Sequence, residues 1–235
     1  MVEKLKNLIS RCYLGLILLF LYAPILVLIV LSFNNSRSRV QWGGFTLDWY
    51  SRLFSNRQIM EALSTTLTLA FSSALIATVI GVLGALGIHA MRRKNYQLVM
   101  VCTNIPLLNA DIVTGIALML WFVNFMPLGY GSVLLAHITF NIPYVILSVM
   151  PKLKQTNKST YEAAMDLGAG PVQAFFKVVF PDIMPGVLSG FLMAFTMSLD
   201  DFIITHFTRG AGIDTLSTLI YSEVRRGIKP SMYAL

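Results

Sequence analysis

Residues 14–33 read LGLILLFLYAPILVLIVLSF, and no charged side chain occurs between Arg11 and Arg37. A helix needs about 20 mostly apolar residues to cross about 30 Å of hydrocarbon, so this stretch is long enough to span a membrane. It is too long for the apolar region of a signal peptide, and residues 32–35, Ser-Phe-Asn-Asn, are not an Ala-x-Ala cleavage site. We therefore predict a retained membrane helix here.

Four further stretches are apolar over a similar length. These predicted spans lie at about 63–90, 98–125, 132–150 and 184–207. Of the 235 residues, 56% are apolar and 12% are charged, against about 45–50% and about 25% in an average soluble domain. The mean hydropathy of +0.69 points the same way. These values argue against a soluble enzyme and against disorder. They predict an all-α, polytopic membrane protein with five spans, forming a single transmembrane domain over residues 1–235.

Residue types that carry out catalysis or hold metals do not occur in suitable patterns. Cys12 and Cys102 lie far apart in or beside apolar stretches, so neither a disulfide framework nor a metal-ligand spacing is indicated. The sequence contains no Gly-x-x-x-x-Gly-Lys-Ser/Thr loop, so we do not expect ATP binding through a P-loop. We predict no catalytic residue, no metal site and no cofactor bound by this chain.

The basic residues predict the orientation in the membrane. The formal net charge is +7, and in an apolar chain this excess marks cytoplasmic loops rather than a nucleic-acid partner. The cluster Arg92-Arg93-Lys94 lies in the short loop after the second span, whereas the turn at 126–131 has no basic residue. We expect a multi-pass protein of the bacterial plasma (inner) membrane with a cytoplasmic N-terminus. This orientation places Arg37, Arg39 and Lys229 on the outer side.

The segment at about 151–183, predicted to be cytoplasmic, has strong local signals. Residues 159–167 are predicted to form a short helix. Ser159 is its predicted N-cap, and Glu162, three residues later, completes a capping box.

A glycine-rich break follows this helix at residues 168–171, which read Gly-Ala-Gly-Pro. A second helix is predicted over 172–180, and Pro181 and Pro185 are expected to end or kink it before the fifth span. The segment then reads as helix, glycine turn, helix. By itself this pattern also fits an ordinary surface loop.

The spacing within this segment favours a more specific interpretation. Glu162-Ala163-Ala164 is followed after three residues by Gly168, and after nine more by Val178-Val179-Phe180-Pro181. This pattern resembles the EAA loop of ABC-importer permeases, which ends in Ile-x-Leu-Pro, with Val and Phe here replacing Ile and Leu. The resemblance implies that the loop docks on a separate ATPase. The residues it assigns to this coupling are Glu162, Ala163, Ala164, Asp166, Gly168 and Pro181.

Further stretches carry a closer resemblance that extends from residue 14 to residue 235. They are Tyr22-Ala23-Pro24, Ser32-Phe33-Asn34, Trp42 with Gly44-Phe45-Thr46, Trp49-Tyr50, residues 136–140 (AHITF) and Ser198-Leu199-Asp200-Asp201. Together they resemble the polyamine branch of this family, the spermidine/putrescine permeases of the PotC type. The resemblance implies the MetI-like transmembrane domain of a type I ABC importer. It also implies a sixth membrane helix, which we expect to begin near residue 232 and to continue beyond Leu235.

The same resemblance implies that this chain is a non-catalytic subunit of a larger assembly. The expected partners are a second permease subunit that is a different chain, an ATPase homodimer that uses ATP and Mg, an external substrate-binding protein and the lipid bilayer. An importer for another solute, such as ferric iron or an organic cation, is the alternative. A channel or secondary transporter that works without ATP is a less favoured one.

Polar residues inside the predicted spans are candidates for the path of a cationic substrate. An ionisable residue at mid-bilayer costs at least about 2.5–3.5 kcal/mol, so such residues usually face a bundle interior or a pathway. A polyamine is a chain of ammonium groups separated by methylenes, which acidic helix faces would suit. The candidates are Asp111, Asn141, Tyr144, Thr196, Asp200 and Asp201.

Structural roles compete with this interpretation at several positions. Asp111 follows Pro106 and Asn109, so it either lines the path or bonds backbone groups freed by a broken helix. Asp201 lies about 100° from Asp200 on a helical wheel, and its alternatives are to cap a helix or to reach the outer surface. His137 is expected to be a structural hydrogen-bonding residue.

Two sets of residues outside this list also have predicted roles. A glycine stripe in the second span is expected to allow close helix packing; it comprises Gly81, Gly84 and Gly87. Aromatic residues after the first span are expected to anchor at the outer membrane interface, or alternatively to contact the binding protein; they are Trp42, Trp49 and Tyr50.

Overall fold

The computed structural model describes residues 2–36, 41–227 and 230–234. Arg37, Arg39 and Lys229, which the charge pattern assigns to the outer side, lie outside these ranges. In the described residues the regular structure is helical, apart from one isolated antiparallel bridge between Asn34 and Phe45. The predicted all-α fold class is confirmed.

In chain order, the α-helices of the described chain are α1 (Val2–Ser32), α2 (Asp48–Ser55), α3 (Arg57–His89), α4 (Arg93–Leu108), α5 (Asp111–Phe122), α6 (Tyr130–Gln155), α7 (Lys158–Asp166), α8 (Pro171–Ala174), α9 (Phe180–Asp200), α10 (Ile203–Thr208) and α11 (Leu216–Arg226). A π-turn, Phe175–Val179, joins α8 to α9, and a 3-10 turn, Pro230–Tyr233, follows α11.

Several helical stretches are long and apolar enough to cross a membrane. By length and composition, four continuous stretches of the described residues qualify: Arg11–Ser32, Arg57–His89, Tyr130–Gln155 and Pro171–Asp200. The pair α4 and α5 qualifies as a fifth crossing only if both helices are counted as one span, because they are bent by 103° at their break. The chain has the helices of a multi-pass membrane protein.

The stretch predicted as the third span, 98–125, folds as two helices. Asn109 and Ala110 have extended backbones, with ψ angles of 148° and 137°, and they separate α4 from α5. Pro106, in the last turn of α4, cannot donate a backbone hydrogen bond and so weakens the helix just before the break. Asp111 is the first residue of α5, so the helix is broken directly before it. In the described residues its carboxylate makes no hydrogen bond to the backbone groups freed at the break, so that predicted structural role is not the one found.

The N-cap predicted for the first helix of the EAA loop, residues 151–183, is wrong. Helix α7 begins at Lys158, and Asn157 is its N-cap. The Asn157 Oδ1 atom accepts the backbone N–H of Ser159 at 3.1 Å. Asn and Ser cap helices about equally well, so the residue types alone did not separate the two positions.

The second helix of the EAA loop does not end at Pro181. Helix α8, the π-turn and α9 form one continuous stretch, Pro171–Asp200. In the π-turn the Phe180 N–H donates to the carbonyl of Phe175, five residues back. A proline inside an α-helix removes one hydrogen bond and crowds the preceding turn. The wider turn directly before Pro181 is the local change that accompanies the continued helix.

Helices α3, α6 and α9 approach one another closely around Val145. A Cβ atom added to Gly81 would lie 2.6 Å from Val145 Cγ1, and one added to Gly190 would lie 3.2 Å from Val145 Cα. Small residues permit such close approach between membrane helices. The packing role predicted for the glycine stripe therefore holds for Gly81, whereas a Cβ on Gly87 would meet no neighbouring helix within 4 Å.

The chain forms two compact units, Met1–Met60 with Ile220–Leu235, and Glu61–Leu219. In the first unit, the Trp49 Nε1–H donates to the backbone carbonyl of Asn34 at 2.8 Å, and the indole is buried. Trp49 therefore takes a structural role inside the protein rather than either of its predicted external roles. Trp42, at 57% exposure, remains on the surface.

Candidate functional site

A cavity of about 320 Å³ lies in the second unit where α5, α6, α9 and α10 meet. Its lining combines carboxylates with aromatic rings. The residues that give it this character are Asp111, Asp200, Asp201, Tyr144, Phe140 and Phe202. Most of the predicted path residues therefore converge here, and Asn141 and Thr196 do not.

Asp111 reaches the cavity because α5 begins at this residue. Its side chain is exposed, and a carboxylate in the first turn of a helix interacts favourably with the partial positive charge of that end. Within the described ranges, the ion pairs involve other residues, so the Asp111 carboxylate has no basic partner. It is available to a cation from outside the protein.

Asp200 lines the same cavity from the C-terminal end of a helix, whereas Asp111 stands at an N-terminal end. It is the last residue of α9, where the unpaired carbonyls carry partial negative charge. The side chain is exposed, and the described part of the chain supplies no basic partner for it either. A second carboxylate at an already negative helix end favours the binding of a positive group.

Asp201 has a different environment although it is the next residue. The predicted fifth span, 184–207, is interrupted at Asp201. The Asp201 carboxylate accepts the backbone N–H groups of Ile204 at 3.2 Å and Thr205 at 2.7 Å. It also accepts the Thr205 hydroxyl at 2.8 Å, and its side chain is only 9% exposed. The helix-capping alternative predicted for Asp201 is the arrangement found, with α10 as the capped helix.

Asn141 lies in a buried polar chain rather than in the cavity. Its Nδ2 donates to Ser198 Oγ at 2.8 Å, and Ser198 Oγ lies 3.0 Å from Ser73 Oγ. These bonds join α6, α9 and α3. His137, one turn earlier in α6, is fully buried with Nε2 2.9 Å from Thr205 Oγ1. The structural role predicted for His137 is the one found.

Thr196 faces a separate open hollow of about 480 Å³ along α9. Its hydroxyl donates to the Leu192 carbonyl of the preceding turn at 2.8 Å. Although Thr196 and Asp200 are four residues apart on one helix, Thr196 is not part of the lining around the carboxylates.

Phe140 and Phe202 line the cavity but were missing from the predicted path residues. Phe140 stands four residues before Tyr144, on the same face of α6, so its helical spacing was an available signal. Phe202 offered no such signal, because it lies in the break between α9 and α10. No group of three or more His, Cys, Asp or Glu residues in the described chain is placed to hold a metal ion.

The EAA loop contains a well-formed helix stop. At the end of α7, the Gly168 N–H donates to the Met165 carbonyl at 2.9 Å, and the Ala169 N–H donates to the Ala164 carbonyl at 3.1 Å. This pair of bonds is a Schellman motif. It needs a left-handed residue, and Gly168 has a φ of +88°.

The predicted coupling residues are mostly on the surface of this loop. Glu162, Ala163, Asp166, Gly168 and Pro181 are exposed, and Ala164 is half-buried. Leu167, between the helix and the glycine, is 89% exposed. The turn therefore presents small and apolar groups together with two carboxylates, which is a chemistry suited to a protein partner.

Comparison with known proteins gives a consistent family. Residues 77–226 match the family described as "Binding-protein-dependent transport system inner membrane component". The spermidine/putrescine transport system permease protein PotC of Haemophilus influenzae is 36% identical over 228 residues, which cover 97% of this chain and 89% of that protein. The putrescine transport system permease protein PotI of Escherichia coli is 38% identical over 226 residues, covering 92% and 80%.

Solved structures share the fold at low sequence identity. A chain of a bacterial ABC transporter that imports the acidic polysaccharide alginate superposes with a TM-score of 0.76 and 19% identity, covering 99% of this chain and 88% of that one. A second structure of an alginate transporter, in complex with a periplasmic protein carrying an alginate pentasaccharide, gives a TM-score of 0.73 and 21% identity, covering 98% and 87%.

Proposed function

Because the chain belongs to the family of inner membrane components of binding-protein-dependent transport systems, we propose that it lines the translocation path of an ATP-driven importer of polyamines. The observation that carries this proposal is the cavity in which Asp111 and Asp200 stand without basic partners in the described chain, beside aromatic rings. The names of the relatives, which refer to spermidine and putrescine, support the same substrate class.

The cavity suits a chain of ammonium groups and methylenes. Two unit charges 4 Å apart interact by about 4 kcal/mol at the effective dielectric of a protein surface, so each carboxylate attracts an ammonium group. Phe140, Tyr144 and Phe202 offer ring surfaces for the methylenes and for cation–π contacts of about 0.5–2 kcal/mol. An acidic substrate would be repelled by the same lining.

The EAA loop is proposed to transmit the movement of a separate ATPase homodimer, which binds the ATP and Mg. Helix α8, the π-turn and α9 run without a break from this loop to Asp200. At about 1.5 Å per residue, this stretch is about 45 Å long. A displacement of the loop therefore moves the cavity wall directly, with Glu162 to Gly168 as the docked part.

The remaining partners complete the assembly. A second permease subunit, proposed to be a different chain, supplies the other half of the path, and an external binding protein delivers the substrate. The N-terminus and the EAA loop lie in the cytoplasm. In this assembly ATP drives the two permease subunits between inward-open and outward-open states.

Charge removal in the cavity tests the substrate path. We expect Asp111→Asn and Asp200→Asn to lower spermidine uptake (Vmax/KM) about tenfold or more, since hydrogen bonds to charged groups contribute about 1.5–3 kcal/mol. Uptake is measured in proteoliposomes that contain the whole importer, with ATPase stimulation by the loaded binding protein recorded in parallel. Asp48→Asn, at an exposed position in the first turn of α2, is the matched control.

The outcomes separate the proposal from its alternatives. Unchanged spermidine uptake in both cavity variants would reject the role of these aspartates in the path. If the wild-type importer transported another solute and no polyamine, the proposed substrate class would be rejected. Glu162→Ala is expected to abolish the ATP-dependent part of uptake. Full uptake in that variant, or in an assembly with a disabled ATPase, would instead indicate a transporter that works without ATP.

A further inference from the structure

His137 lies directly against the break between α9 and α10. The imidazole is fully buried in α6, and its Nε2 atom lies 2.9 Å from Thr205 Oγ1 and 3.5 Å from Asp201 Oδ2. These three side chains come from three places in the chain: α6, the break and α10. A buried imidazole in contact with a carboxylate is costly unless its hydrogen bonds are satisfied, so the arrangement constrains all three residues.

The proton positions in this group follow from counting donors. Thr205 has one hydroxyl proton, and it points to Asp201 Oδ2 at 2.8 Å. The Thr205 oxygen can then only accept, so His137 Nε2 carries a proton and donates it. His137 Nδ1 is buried and has no hydrogen-bond partner in the described chain.

The group lies directly behind one wall of the cavity. Asp201 caps α10 through the N–H groups of Ile204 and Thr205, and Phe202, Ile203 and Ile204 form the cavity wall beside Asp200. The break is also held from α11, because the Ser217 hydroxyl donates to the Asp201 carbonyl at 2.7 Å. The wall therefore depends on hydrogen bonds made behind it.

We propose that His137, Thr205 and Asp201 form a positioning relay, and that the two adjacent aspartates have different tasks. Asp200 faces the transported cation, and Asp201 holds the wall against which the cation binds. The assignment rests on the proposed function of the cavity as a polyamine path. His137 is a positioning residue in this scheme, because it does not line the cavity itself. It supports the wall from behind through Thr205 and Asp201, and through an edge-to-face contact with Phe140 at 5.2 Å between ring centroids.

Substitutions at the two aspartates distinguish their tasks. At position 201 an asparagine has one acceptor oxygen, which can take the place of Oδ2 and accept the Thr205 N–H and hydroxyl, so it gives up only the longer bond from the Ile204 N–H. An alanine loses all three bonds. We expect the KM for spermidine uptake to stay within about threefold of wild type in Asp201→Asn and to rise about tenfold in Asp201→Ala. At position 200, Asn and Ala are expected to be equally damaging, because only the charge matters there.

The relay itself is tested with conservative and disruptive pairs. His137→Gln keeps a donor near the Nε2 position and Thr205→Ser keeps the hydroxyl, so both should retain a KM near wild type. His137→Leu and Thr205→Val remove these groups, and both should raise the KM about tenfold. Thr205→Val preserves size and serves as the second disruptive variant if His137→Leu fails to assemble.

A readout without transport keeps this proposal separate from the proposed function. Cys12 and Cys102 are both free and exposed, so they are replaced by serine before Ile203→Cys is introduced on the cavity wall. We expect its maleimide-labelling rate in the purified complex to rise at least about fivefold with His137→Leu and to stay unchanged with His137→Gln. The relay would be overturned if the labelling rate at position 203 did not change in the disruptive variants. It would also be overturned if Asp201→Asn impaired spermidine uptake as much as Asp200→Asn. If the wild-type importer took up no polyamine while the labelling rates changed as expected, only the proposed substrate would be rejected and the relay would stand.

Discussion

Gly168 and Gly170 stand two residues apart in the turn of the EAA loop, but their backbones differ. Gly168 has a φ of +88°, whereas Gly170 has a φ of −67°, which any residue adopts. A Cβ atom on either would meet nothing within 4 Å. The two positions therefore separate backbone strain from steric contact.

We expect Gly168→Ala to weaken the helix stop and Gly168→Val to weaken it further. The left-handed conformation costs an L-residue about 1–2 kcal/mol and is least tolerated by β-branched residues. On the proposed function, stimulation of the ATPase by the permease should fall several-fold in Gly168→Val and less in Gly168→Ala. Gly170→Ala is the control, and an equal loss there would show that the φ angle is not the cause.

At the scale of elements, α3 shows that glycines in one stripe are not equivalent. Gly81 lies against Val145 of α6, and Gly87 lies against no neighbouring helix. We expect Gly81→Leu to destabilise the protein by about 1–3 kcal/mol, because a new side chain would overlap Val145 in a packed interface. Thermal unfolding of the detergent-solubilised complex measures the change.

Gly87→Leu is the matched control on the same helix. Leucine has the higher helix propensity, and here it meets open space, so stability should be unchanged or slightly higher. If both variants destabilised the protein equally, the loss of stability would come from changes within α3 and not from its contact with α6.

The long helices were predictable, and their breaks were predictable only in part. Apolar runs fix where α1, α3 and α6 occur, because no other structure satisfies the backbone in a bilayer. Pro106 and Asn109 signalled the break before Asp111. The break after Asp200 carried no proline or glycine, and it depends on hydrogen bonds from Thr205 and Ser217 that the sequence does not reveal.

At the scale of the whole molecule, the distribution of basic residues predicts which side of the membrane each loop faces. We expect a cysteine in place of Trp42 to react with a membrane-impermeant maleimide in intact cells, and one in place of Arg93 to react only after the membrane is opened. Both positions are exposed, and Cys12 and Cys102 are replaced by serine in the background. The reverse labelling pattern would place the N-terminus outside.

The sequence predicted which residue types belong to the candidate site, but it did not predict which of these residues lie together in the fold. Asp111, Tyr144 and Asp200 were candidates because polar groups are rare in membrane helices. Their meeting in one cavity requires the break at residues 109–110, which brings the start of α5 against α9 and α10. Asn141 satisfied the same sequence criterion and lies in the packed interior instead. Tertiary packing, which one sequence does not specify, separates the two outcomes.

The π-turn at Phe175–Val179 sets the angular phase between the two ends of a long helix. Each residue in an α-helix advances the chain by about 100° around the axis, so one residue more or less in this turn would rotate the EAA loop by that angle relative to α9. A docking surface that must meet a partner in one orientation is thus defined by the number of residues in a turn that carries none of the proposed docking residues. Single-residue insertions or deletions there would leave every docking side chain intact and aim it in the wrong direction.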